Sequence, residues 1–80
     1  MSYTPERIAE LHLLTHFNLA NHQEGLKLHS DADPQLLGAA ARLHARGLLT
    51  QVDGGYLTSL GLDAAEHAQA LLTILTPAEG

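Results

Sequence analysis

The segment from Arg42 to Gly61, RLHARGLLTQVDGGYLTSLG, predicts a mainly α-helical fold with a small β-hairpin, in the winged helix-turn-helix class. Three observations carry that prediction. Gly47 is a natural stop for the helix before it, and Leu48 to Val52 are β-capable. Asp53-Gly54-Gly55 tolerates the positive φ that a tight hairpin turn demands, and Tyr56-Leu57 returns as the second strand. Thr58 then offers a hydroxyl N-cap for a further helix. Helix, hairpin, helix is the order of a recognition helix, its wing and the helix that follows. The commonest use of that arrangement is DNA binding, although a fold alone does not fix a use.

The first helix begins at Thr4 as N-cap, with Pro5 in the first helical position and Glu6 near the positive end of the helix dipole. Ile8, Leu11, Leu13, Leu14 and Phe17 give it a broad apolar face, and it is expected to end near Asn18 or Leu19. Residues 20–30 read two ways. Asn21-His22-Gln23-Glu24 matches a capping box and favours a short irregular helix, whereas Leu26-Lys27-Leu28-His29 alternates as a strand does. The helix is the preferred reading. Asp33 and Pro34 open the next helix, which runs to about Arg46. At 100° per residue, Leu36, Leu37, Ala40 and Leu43 fall on one side, and Gln35, Gly38, Ala39, Arg42 and Arg46 on the other. The second face suits close approach to a groove. The last helix, from about Thr58 to Leu75, has an apolar arc through Ala64, Ala65, Ala68, Leu71, Leu72, Ile74 and Leu75. That arc is too wide for one buried face, so it predicts a homodimer through this helix. Residues 76–80 form a frayed tail on a single domain spanning 1–80.

Eighty residues carry a modest core, here built from Leu and Ala with three aromatics. The sequence contains no Cys, which excludes disulfides and thiolate metal sites. No signal peptide and no membrane span are evident, so a cytoplasmic protein is expected. The net charge of −5 argues against nucleic acid, because Lys and Arg supply most non-specific affinity. Only Arg7, Lys27, Arg42 and Arg46 are reliably cationic, so their placement decides the matter.

The candidate DNA-binding residues are Gln35, Arg42 and Arg46 for groove contact and Lys27 for the backbone, with His29 beside it. The plain alternative is a solvated polar face. His12 and His16, four apart on the first helix, could hold a metal, but no further ligand cluster accompanies them. HLLTH also lacks the Glu of HExxH. No metal, cofactor or enzyme activity is therefore expected: there is no nucleophile constellation, no phosphate loop and no carboxylate pair.

QEGLKLH and RLHARGLLTQVDGGYLTSLGLDAAEHAQALLTIL together resemble a family of small uncharacterised gammaproteobacterial proteins labelled as putative DNA-binding proteins. More loosely, residues 34–61 are similar to the MarR-like winged-helix pattern, in which R-G-L-[IL] leads into a wing and then an L-T-x-x-G turn. Here that turn is Leu57-Thr58-Ser59-Leu60-Gly61. The resemblance implies DNA binding in transcription regulation. The wing departs from it, since Gln51-Val52-Asp53-Gly54-Gly55 carries no Arg or Lys. The leading expectation is thus a DNA-binding winged-helix regulator. The second is a winged-helix protein-interaction module that does not bind DNA.

Overall fold

The computed structural model describes residues 2–21 and 23–77. The order of elements is α1 (Pro5–Leu14), β1 (Leu26–Lys27), α2 (Pro34–Ala45), β2 (Leu49–Gln51), β3 (Gly54–Leu57) and α3 (Ser59–Leu75). Three helices pack with a small antiparallel sheet whose strand order is β1-β3-β2.

Each helix starts where its capping chemistry places it. Thr4 Oγ1 accepts from the Arg7 amide at 3.1 Å, and Asp33 Oδ1 accepts from the Gln35 amide at 2.9 Å. Thr58 Oγ1 accepts from the Gly61 amide at 3.1 Å and donates to the Gly47 carbonyl at 2.6 Å. One hydroxyl therefore caps α3 and ties its start to the end of α2. Gly47, the residue after the α2 C-cap Arg46, has φ +83.

α1 ends at Leu14, about a turn earlier than its apolar pattern suggests. The Thr15 hydroxyl donates back to the His12 carbonyl at 2.6 Å. The Gln69 amide, on α3, donates to the carbonyls of Leu14 and Phe17 at 3.3 and 2.7 Å. A distant side chain thus satisfies carbonyl oxygens that further helical turns would otherwise have used.

The expected short helix in residues 20–30 is replaced by turns and β1. His22 lies outside the described residues. Asn18 Oδ1 and Asn21 Oδ1 accept from the amides of Ala20 and Gln23, which holds the chain in side-chain-closed turns rather than a helix. Leu26 and Lys27 then pair with Gly55 and Gly54. The two glycines have φ of +128 (Gly54) and +72 (Gly55), as the turn reading requires. They also lie in β3 itself, where a Cβ on Gly54 would collide with the Leu26 carbonyl oxygen. The missing side chains are what let β1 lie across the hairpin. β2 and β3 pair with an irregular register between Leu49 and Gln51. The Tyr56 amide, within that irregularity, is satisfied by Thr50 Oγ1 at 2.9 Å.

The core joins α1, α2, β2 and α3. Ala39, Ala40 and Ala65 are fully buried, with Leu13, Leu14, Phe17, Leu43 and Leu49 around them. Small residues at the contacts allow the helices to approach closely. Among the described residues, no helix is long and apolar enough to cross a membrane.

Candidate functional site

Glu10 is the one buried charged residue among those described. It lies on the inner side of α1, in line with Ala9, Leu13 and Leu14. A carboxylate removed from water needs compensating charge and hydrogen bonds. Two residues of α2 provide them. Arg42 Nε donates to Glu10 Oε2 at 2.7 Å, and Arg46 Nη1 donates to Glu10 Oε1 at 2.7 Å. Arg42 Nη2 also reaches the Glu6 carbonyl at 3.3 Å. The Glu10 side chain is 5% exposed, whereas those of Arg42 and Arg46 are 36% and 53% exposed. The arrangement is an ion cluster with a buried anion and two cations that lean over it from the rim.

This changes the reading of α2. The face carrying Gly38, Ala39, Arg42 and Arg46 was expected to stand open to a groove. Instead Ala39 is fully buried and both arginines turn to α1. Leu37, placed by the sequence pattern with the core, is only half-buried. The helix is rotated about its axis relative to that expectation. Its outward face is made of Pro34, Leu37, Ala41 and Ala45, with exposed His44 at the edge, and holds no formal charge.

Of the other two candidate DNA-binding residues, Gln35 is exposed in the first turn of α2, and Lys27 is exposed on β1. The structure therefore brings Arg42 and Arg46 together but on Glu10, sets Gln35 with Arg42 in the lining of one shallow pocket beside Pro5, Glu6 and Ala9, and places Lys27 on β1. Sequence reasoning missed Glu10. The signal was present: a lone carboxylate at the spacing of buried Leu13 and Leu14, one turn from each.

On α1, the rings of His12 and His16 meet edge to face with centroids 4.8 Å apart. His16 Nδ1–H donates to the His12 carbonyl at 2.9 Å, so that nitrogen is engaged by the backbone. Among the described residues no group of three or more His, Cys, Asp or Glu converges as a metal site would need. On α3, His67 donates to the Asp63 carbonyl at 2.7 Å. That bond, and then the charge of the Asp63 carboxylate 3.8 Å away, hold the imidazole above its ordinary value. A raised folded value means that any stability it contributes is fully present below the unfolded value and is lost as pH rises through the folded one. His67 is fully exposed, so the contribution is screened by solvent.

A second surface lies between α1 and the C-terminal half of α3. Ile8, Leu11 and His12 form one wall of an open groove there, and Leu71, Leu72 and Leu75 the other. The apolar arc of α3 is thus divided. Ala65 and Ala68 are buried in the core, while Leu71, Leu72, Ile74 and Leu75 are between 47% and 78% exposed.

Residues 1–76 match the model of a family of unknown function, DUF5669, and the chain belongs to that family. No curated protein and no solved structure matches it.

Proposed function

We propose that this member of the DUF5669 family is a protein-interaction module: a winged-helix-type domain that offers the outer face of α2 to a protein partner and catalyses no reaction. The observation that carries this is the Glu10–Arg42–Arg46 cluster. Two of the four Lys and Arg side chains are committed to an internal carboxylate, on a chain with net charge −5. Away from that cluster, the α2 face of Pro34, Leu37, Ala41 and Ala45 carries no charge. Such a surface suits an apolar partner and offers nothing to a phosphate backbone, whose affinity comes from cation contacts. Regions around the face remain acidic, with Asp31, Asp33 and Glu6 all exposed.

DNA binding is the second reading, and one observation favours it. The strand order β1-β3-β2, with α2 leading directly into the β2–β3 hairpin, accords with a winged helix. On that reading Gln35, Lys27 and the open halves of Arg42 and Arg46 would meet the nucleic acid. A titration against genomic fragments over a range of salt separates the two. The interaction-module reading predicts no saturable binding even at low salt, where electrostatics are strongest. Saturable binding with a log–log salt slope on the order of −3 to −5 would replace it with the DNA reading.

A further inference from the structure

We infer that the groove between α1 and α3 is the seat of a second copy of this chain, a surface distinct from the outer face of α2. Of the groove walls, Ile8, Leu71, Leu72 and Leu75 expose between 47% and 68% of their surface, and Ile74, next to Leu75 on α3 but outside the groove walls, exposes 78%. Together that is on the order of 500 Å² of apolar surface, towards the upper end of what a monomer shows as its largest patch. A two-fold-related copy laid over the patch would bury it twice, about 1,000 Å² in all, which is the size at which a specific interface begins. A patch that covers itself in this way needs no other partner.

Charge placement favours the same occupant. A chain of net charge −5 repels its copies, so self-association requires a surface away from the carboxylates. Among the described residues, the groove walls contain no Asp, Glu, Lys or Arg. The acidic residues of α3, Asp63 and Glu66, stand in its N-terminal half. α3 has 17 residues and is about 25 Å long. Two copies crossing antiparallel over Leu71–Leu75 overlap only their C-terminal halves and keep both acidic ends outside the contact. Ile8 and Leu11 of α1 then close over the partner's α3, so the interface uses two helices from each copy rather than α3 alone.

Sedimentation equilibrium from about 1 to 100 µM tests this, with circular dichroism to verify folding. The wild-type mass should approach twice 8.5 kDa. Leu72→Glu and Leu75→Glu should each weaken association at least about 30-fold, as loss of an interface anchor does. Both positions are more than half exposed, so both variants should fold. Ala41→Glu, on the outer face of α2, should leave association unchanged, which keeps this result separate from the function proposed for that face. A wild-type monomer throughout the range overturns the inference. So does a dimer that survives both groove substitutions, or one that Ala41→Glu dissolves.

Discussion

Glu10→Gln should destabilise the protein by about 2 kcal/mol, measured as a fall in unfolding midpoint on the order of 10 °C. Each carboxylate oxygen of Glu10 accepts from a different guanidinium, one of Arg42 and one of Arg46. The amide keeps the shape but presents an N–H to one of those donors, and it leaves two neighbouring cations without a counter-charge. Removing one partner of a fully buried pair costs roughly 3–5 kcal/mol. The expected loss here is smaller because Arg42 and Arg46 are 36% and 53% exposed and can turn towards water. Arg46→Ala, which removes the more exposed cation, should cost less than Glu10→Gln. A Glu10→Gln variant as stable as wild type would show that the cluster is a surface contact with no structural weight.

Gly61→Ala is expected to cost about 3 kcal/mol or more, against the usual sign for a helix. In an exposed helix interior, Ala is favoured over Gly by about 1 kcal/mol. Gly61 is buried in the first turns of α3, where a Cβ would run into the Leu48 carbonyl and come within 3.2 Å of Leu57 Cδ2. Backbone atoms form that obstacle, and the Leu48 carbonyl is already held by the Thr58 amide at 3.0 Å. The seam between α3 and the start of β2 would have to open. Gly38→Ala is the matched control. Its Cβ would meet only the tip of the Arg42 side chain, Nη1 at 3.1 Å, which can move aside. That variant should be neutral or slightly stabilised. Thermal unfolding of the pair checks both signs at once.

What the sequence revealed, and what it did not, follows the range of the interactions. Thr4-Pro5, Asp33-Pro34 and Thr58 marked helix starts correctly because a cap is satisfied within three residues. The positive φ of Gly54 and Gly55 was equally local. The end of α1 was not, since Gln69 closes its carbonyls from more than fifty positions away. β1 was legible only as the second of two readings, from the alternation of Leu26-Lys27-Leu28-His29, because what decides for the strand is pairing with Gly55 and Gly54, which lie beside it in space. The candidate site suffered most. Arg42 and Arg46 read as an open polar face, since their partner Glu10 lies 32 and 36 positions earlier. The α2 sequence itself was ambiguous, with small residues on two sides. The carboxylate within the apolar stripe of α1 was the clue that a cation had to come from another element.

On the function proposed above, the outer face of α2 meets protein while the α2 arginines stay with Glu10. Site-specific photo-crosslinking from Ala41 in living cells tests it most directly, because position 41 lies on that face and outside the core. A discrete protein adduct is expected, one that disappears when Leu37→Glu places a charge beside it. A nucleic-acid adduct from Ala41, or a protein adduct indifferent to Leu37→Glu, would contradict it.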